Sequence, residues 1–470
     1  MKAGIFVAFA ALVAAQALAA TVPSNQVANP VIAKVVSDVS PARIEAMIRK
    51  LVSFGTRNSL SDDASETRGI GAARCWIKSQ LDKCAADSGG RLQVAVDDHL
   101  VESGPRVPKP THFVNVVATL AGEQAESRDR IYVVSGHYDS MPTSPIDAEK
   151  DAPGADDDAS GTAVSMELAC VMSKQHFNAT LVFLTVAGEE QGLIGSDGWA
   201  KDAKAKNLDI AAMFTNDIVG NSHARDGHVE RDRVRIFAEG VPAKKEVSED
   251  VRIALTTGGE NDLPTRQLAR FVKEMAERYV KGMKVDVHWR RDRYLRGGDH
   301  FSFLEQGWPA LRVTEPNENW DHQHQDVRVE NGIQFGDLLE FVDFEYTARV
   351  ARVNGAALAA LALGPSVPKG VEMENRPYDI ETTLRWKANP EPGLVGYRIV
   401  WRETSAADWQ HSKDVGNVTR VTLDESKDDY QFGVQAYDRD GNVSVVAYPK
   451  PVRLPRAAEN RGQTPVSNPP

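Results

Sequence analysis

Residues 131–140 read I-Y-V-V-S-G-H-Y-D-S and residues 181–190 read L-V-F-L-T-V-A-G-E-E. Each begins as an apolar run, at 131–134 and 181–186, and ends on side chains that bind metals or move protons. Continuous apolar runs of this length suit strands buried on both faces, as in a parallel sheet. Residues 211–214 follow the same plan and lead into T-N-D-I-V-G, which carries Asp217. Residues 310–313 lead to W-D-H-Q-H-Q-D, which carries His322. Two more strands are expected at 92–96 and 113–120, and helical patterns lie at 161–174, 193–204, 265–281 and 332–359. Alternation of this kind predicts an α/β fold, a mostly parallel mixed sheet sandwiched by helices.

In an open α/β sheet, ligands bind beyond the carboxyl ends of the strands. That rule brings His137, Asp139, Glu189, Glu190, Asp217 and His322 to one edge, with Asp156 of P-G-A-D-D-D-A-S-G opening the next helix. A lone aspartate after a strand is ordinarily a turn or cap residue, and a lone histidine is ordinarily structural. Their coincidence at successive strand ends carries the signal. Imidazoles mixed with carboxylates suit zinc, which accepts nitrogen and oxygen donors.

Outward from this region the chain divides. With 470 residues, 42% hydrophobic and 26% charged, it is long enough for two or three domains with ordinary cores. A formal net charge of -11 argues against a nucleic-acid partner. The opening M-K-A-G-I-F-V-A-F-A-A-L-V-A-A-Q-A-L-A-A has a positive start, a short apolar run and a small-x-small cleavage pattern at Ala17-Leu18-Ala19. This is the pattern of a signal peptide over 1–20, with export to a periplasmic or secreted location and no stable membrane insertion after cleavage. Residues 21–39 lack a clear pattern and read as a mobile lead or short pro-segment. Ser40-Pro41 is an N-cap followed by proline, predicting a helix to about residue 53. A further helix is expected at 68–81.

Cys75 and Cys84, nine residues apart, would sit about 13 Å apart on one continuous helix, too far to bridge. A bridge between them stays open only if Cys84 lies past the helix end. Cys170 reads as a small core residue.

Composition changes at the 364–369 linker, G-P-S-V-P-K. Short alternating strands then follow at 382–386, 397–401, 420–423, 430–437 and 443–448, separated by turns such as Asp440-Gly441. They predict an all-β, immunoglobulin-like sandwich over 370–455. The polar, Pro-rich stretch 456–470 is expected to be disordered.

The blocks H-Y-D-S, P-G-A-D-D-D-A-S-G, G-E-E-Q-G-L-I-G-S, N-D and a histidine four residues before an aspartate occur in one order between about residues 51 and 337. In that order they resemble the two-zinc aminopeptidases of the bacterial leucyl aminopeptidase and aminopeptidase Y type. The resemblance implies a zinc-exopeptidase-like catalytic domain over 40–363 that binds two zinc ions and cleaves peptides with a free N-terminus. It implies that His137, Asp156 and Asp217 hold one zinc, that Asp156, Glu190 and His322 hold the other, and that Asp156 bridges. It also implies Glu189 as general base, Asp139 as the partner that orients His137, and a cis peptide after the bridging aspartate. Asp299 and His300, in R-G-G-D-H-F-S-F, are read as pocket residues rather than ligands. The resemblance, with the family spacing of four to a following aspartate (here Asp326), implies His322, and His324, two residues on, is the competing ligand.

The C-terminal strands resemble a fibronectin type III domain, with Trp386, Tyr397 and Tyr430 at its core aromatic positions. Because every implied ligand precedes residue 364, a chain cut after Leu363 is expected to fold and work. Three other readings stay open. One is a carboxypeptidase or dipeptidase of the same superfamily, one is a glutaminyl-peptide cyclotransferase, and one is a non-enzymatic binding protein on the same scaffold.

Overall fold

A computed structural model describes residues 28–244, 246–376 and 380–455. The expected signal peptide and C-terminal tail lie outside the described residues. Among the described residues, no helix is long and apolar enough to cross a membrane.

The large sheet contains β1 (Leu92–Val101), β2 (Thr111–Leu120), β3 (Arg130–His137), β4 (Thr180–Val186), β5 (Asp209–Asn216), β6 (Arg233–Ala238), β7 (Lys284–His288) and β8 (Ala310–Thr314). Their order is β1-β2-β4-β3-β5-β8-β6-β7. The centre, β4-β3-β5-β8, is parallel throughout. The flanks join it antiparallel, through β2 on β4 and β6 on β8. From β3 the chain passes first to β4 on one side and then to β5 on the other, so the carboxyl end of β3 is a topological switch point.

The helices are α1 (Pro30–Asp38), α2 (Pro41–Val52), α3 (Gly69–Asp87), α4 (Ala159–Met172), α5 (Ile194–Ala205), α6 (Glu249–Thr256), α7 (Pro264–Tyr279), α8 (His300–Glu305) and α9 (Phe344–Leu363). Side chains alternate across a strand, and both faces of the central strands are apolar. Tyr132, Val134, Leu181 and Phe183 pack with α4 and α9 on one face. Val133, Val182, Leu184 and Val186 pack with Phe303, Leu304 and Ala200 of α8 and α5 on the other. The sheet is thus covered on both sides, as the continuous apolar runs require.

Several local expectations change. Residues 30–38 are helical rather than a loose lead. Asn29 caps α1 through the backbone N–H of Val31, Pro30 occupies the first turn, and Ile32 and Val35 are buried. Ser40 caps α2 as expected, accepting from Arg43 N. The last helix begins at Phe344, because residues 328–335 form a hairpin of β9 (Arg328–Glu330) and β10 (Ile333–Phe335). Cys170 is not a lone core thiol. It is disulfide-bonded to Cys84, with Cα atoms 5.0 Å apart, because the end of α3 packs on α4; Cys75 is free and exposed.

Residues 371–453 carry β11 (Glu372–Asn375), β12 (Glu381–Arg385), β13 (Leu394–Glu403), β14 (His411–Gly416), β15 (Arg420–Ser426), β16 (Tyr430–Asp438) and β17 (Lys450–Arg453). They form a four-stranded sheet, β15-β12-β11-β17, and a three-stranded sheet, β14-β13-β16. Leu384, Trp386, Tyr397, Ile399, Leu423, Phe432 and Val434 fill a shared core. The stretch 443–448 is not a strand; it makes only isolated bridges to β16.

This unit is tied into the part of the chain that carries the large sheet. Val443 belongs to the main core. Arg402 Nη2 donates to Asp262 Oδ2 at 2.6 Å with both side chains buried, and Arg130 Nη1 lies 3.2 Å from Glu391 Oε1. The buried seam argues against the expectation that a chain cut after Leu363 behaves normally.

Candidate metal centre and active site

The site forms where four parallel strands end. β3 ends in His137, and Asp139 follows it. β4 leads through Gly188 to Glu189 and Glu190, β5 ends just before Asp217, and the chain beyond β8 supplies His324. Gly188 has φ +77°, and an added Cβ would lie 2.4 Å from the Phe113 ring, so only glycine delivers the glutamates at this angle.

The three aspartates of P-G-A-D-D-D-A-S-G take three tasks. Asp158 caps α4 by accepting from Gly161 N at 2.9 Å, and it also accepts from His137 N at 2.9 Å and Ile218 N at 3.3 Å. It therefore fastens the ends of β3 and β5 to the helix start. Asp157 turns into the cleft. Its Oδ1 lies 3.1 Å from His137 Nε2 and its Oδ2 lies 2.9 Å from His324 Nε2. Asp156 turns away, accepting from Gly220 N at 2.6 Å beside Glu315. The peptide between Asp157 and Asp158 is cis.

Two expected residues thus stand outside the cluster. Asp156 is displaced by the phase of the helix cap: with Asp158 at the N-cap, Asp157 is the aspartate that faces the cleft. His322 is displaced because residues 321–324 form a turn, with His324 at φ +53°, so positions two apart do not share a side. The His322 ring stacks on Phe341 with centroids 3.6 Å apart. Asp326, which had selected His322, instead pairs with Lys150 at 2.7 Å. His324 is the imidazole that reaches the cleft, with Nε2 3.3 Å from Glu190 Oε1.

Potential ligand atoms of His137, Asp157 and Asp217 lie within 4.8 Å of one another, as do those of Asp157, Glu190 and His324. Those of His137, Glu189 and Glu190 form a third such group. Glu190 Oε1 is buried without a hydrogen-bond partner. A nitrogen and oxygen donor set, buried and with an unsatisfied carboxylate oxygen, fits zinc.

Supporting contacts fix the donors. Nδ1 of His137 lies 3.2 Å from the Asp139 carbonyl and 3.3 Å from its carboxylate, leaving Nε2 for the cleft. Asp139 also accepts from Ser59 Oγ and Glu190 N, each at 3.2 Å. Asp337 accepts from the backbone of Asp157 at 2.7 Å and of Asp156 at 2.9 Å. Arg312, fully buried on β8, clamps both carboxylate oxygens of Asp217. Arg57, also fully buried, donates to the carbonyls of Leu51, Tyr138, Pro153 and Gly154, and burial lowers its pKa to about 10. Sequence reasoning missed Arg57, Arg312 and Asp337. A basic residue inside an apolar strand run, A-L-R-V-T, was the available signal for Arg312.

Burial, together with the charges of Glu190, Asp217 and Asp299, pushes the Glu189 carboxyl well above its usual range, while His137 acts in the opposite direction. Bound divalent cations would also oppose it. Glu189 stands beside the cluster on the residue before Glu190, so one carboxyl can face the donors and the other a bound substrate.

Residues 115–334 match the model of peptidase family M28. A probable zinc metalloprotease of Leptosphaeria maculans is 46% identical over 416 residues, covering 88% of this chain and 96% of that one. Another, from Pyrenophora tritici-repentis, is 46% identical over 417 residues, covering 88% of this chain and 86% of its own. The crystal structure of LapA from Legionella is 18% identical, covers 70% of this chain and 75% of its own, and superposes with a TM-score of 0.50, a likeness of fold. With the cluster of donors at the strand ends, these matches establish that the chain belongs to the zinc metalloproteases of peptidase family M28.

Proposed function

We propose that this chain is an exported two-zinc exopeptidase that hydrolyses the N-terminal bond of peptides. The observation that carries it is Asp157, one of whose carboxylate oxygens faces His137 and the other His324. A carboxylate so placed between two imidazoles suits a bridge between two metal ions. In this reading His137, Asp157 and Asp217 hold one zinc, and Asp157, Glu190 and His324 hold the other.

Two zinc ions held there would supply Lewis acidity and a water activated at neutral pH. The protein's own residues do the rest. Asp139 holds Nδ1 of His137 and fixes which nitrogen faces the cleft. Arg312 fixes the plane of the Asp217 carboxylate. Glu189 removes a proton from the attacking water and returns it to the departing amine, the work of a general base that becomes a general acid. Its position among other carboxylates favours holding that proton between the two steps. The cleft lies against exposed surface at Arg106 and Leu295, which lets a peptide end enter.

The test is hydrolysis of matched peptides with free and N-acetylated termini, with and without a chelator. Release of the first residue from the free peptide, abolished by chelation and absent with the acetylated one, supports the reading. Cleavage of both alike points to a carboxypeptidase, and pyroglutamate formation without hydrolysis points to a cyclotransferase.

A further inference from the structure

The cleft over the metal centre has a volume of about 690 Å³. Met141, Leu193, Phe301 and Trp320 make its apolar wall, and Arg293 and Arg296 also line it. The two arginines differ in their pairing. Arg293 is neutralised by Asp292 at 2.9 Å and Glu318 at 2.7 Å. The other oxygen of Glu318 is taken by Arg235 at 2.7 Å. Arg296 is left 3.8 Å from Glu318, whose two oxygens are already engaged. Its hydrogen bond among the described residues is a long one, 3.4 Å, to Gln323 Oε1.

Arg296 is nonetheless well placed and partly desolvated. Its side chain is 26% exposed and its guanidinium lies over the Trp320 ring, 4.5 Å from the centroid. Gln323 in turn donates to Asp157 Oδ2 at 2.9 Å, so Arg296 stands one side chain from the carboxylate at the heart of the site. A guanidinium resting on an aromatic ring, short of a carboxylate and facing a cleft is a receptor for a planar anion.

We propose that Arg296 is a specificity-determining residue that binds a carboxylate of the substrate, so that preferred peptides carry a carboxylate close to the scissile bond. The inference rests on the peptidase reading above. The carboxylate has two sources, an acidic side chain or the free α-carboxylate of a short peptide such as a dipeptide. Both offer the same fork-to-fork pairing with the guanidinium.

The experiment uses the full chain loaded with zinc and two matched pairs: Glu-anilide against Gln-anilide, and Leu-Gly against Leu-Gly amide. The acid member of at least one pair is expected to have a kcat/KM about 10- to 100-fold higher, the range of a charge-assisted pair. Preference in the first pair identifies the side chain, and in the second the α-carboxylate. Arg296→Gln should bring the ratio to about one, and Arg296→Lys, which keeps the charge but not the fork, should retain part of it. Equal rates within both pairs for the wild-type chain overturn the assignment, whether or not the variants fold. A preference untouched by Arg296→Gln also overturns it. Hydrolysis without discrimination defeats this assignment alone, whereas no hydrolysis of any of the four defeats the peptidase reading as well.

Discussion

Replacing Arg402 by alanine should unfold more than the C-terminal sheets. Arg402 sits on β13 with 1% of its side chain exposed, and its partner Asp262 is 0% exposed on the catalytic side of the seam. Besides Asp262, its guanidinium donates to the carbonyls of Glu403, Thr404 and Ala406. Burial raises the pKa of Asp262 although Arg270 and Arg402 both oppose that rise. After Arg402→Ala the carboxylate keeps Gln267 at 2.9 Å and Arg270 at 3.4 Å, and loses its shortest contact. Breaking one side of a buried pair costs about 3–5 kcal/mol. Against a total stability of about 5–15 kcal/mol, that is a large share. The assay is urea denaturation followed by tryptophan fluorescence, since Trp409 lies at the same seam and donates to Gln267 Oε1 at 3.3 Å. Arg402→Met combined with Asp262→Leu should recover little of the loss, because Arg270, 5% exposed, then loses its own ion-pair partner Asp262. A loss below about 1 kcal/mol for Arg402→Ala would refute the reasoning and favour the expectation that a chain cut after Leu363 folds and works.

Glu189→Gln should retain bound zinc, since the proposed ligands remain, while kcat falls by a factor of about 10²–10⁴; wild-type turnover in the fully metallated variant would reassign the base. His300 supplies a pH test: burial, reinforced by Arg312, lowers its pKa from 6.5 to about 4, while its Nε2 donates to the Arg291 carbonyl. The unfolded chain takes up this proton as pH falls through 6.5 while the native chain resists until about 4, so the stability due to neutral His300 is present above pH 6.5 and lost across that window. The destabilisation caused by His300→Asn should therefore be about 2 kcal/mol smaller at pH 5 than at pH 7.5, measured by urea denaturation at each pH; a pH-independent difference would contradict it.

The sheet was legible because its central strands announce themselves twice, by apolar runs and by the chemistry at their ends. The flanking strands β6 and β7 were not, since R-V-R-I-F-A and K-V-D-V-H mix charge into short runs that read as loop. His137, Asp139, Glu189, Glu190 and Asp217 were placed within the site by the strand-end rule. The two expected residues that stand outside the cluster share one physical cause. In D-D-D and in H-Q-H, several equivalent side chains compete, and the choice is made by local backbone: the N-cap role of Asp158 in the first, the left-handed φ of His324 in the second. The cap could have been found from sequence, because an aspartate three residues before Gly161 is a helix-start signal. The φ of His324 could not. Arg57 and Arg312 escaped because a buried guanidinium is justified only by partners far away in the chain.

The central claim is that Asp157 and His324, with His137, Glu190 and Asp217, hold two zinc ions. It is tested most directly by counting zinc in purified wild-type, His324→Ala and His322→Ala chains after exhaustive dialysis. The account predicts two ions in the wild type, loss of one in His324→Ala, and two in His322→Ala, where the stack on Phe341 and a long contact with Asn319 are removed. Two ions retained by His324→Ala, with one lost by His322→Ala, would contradict it.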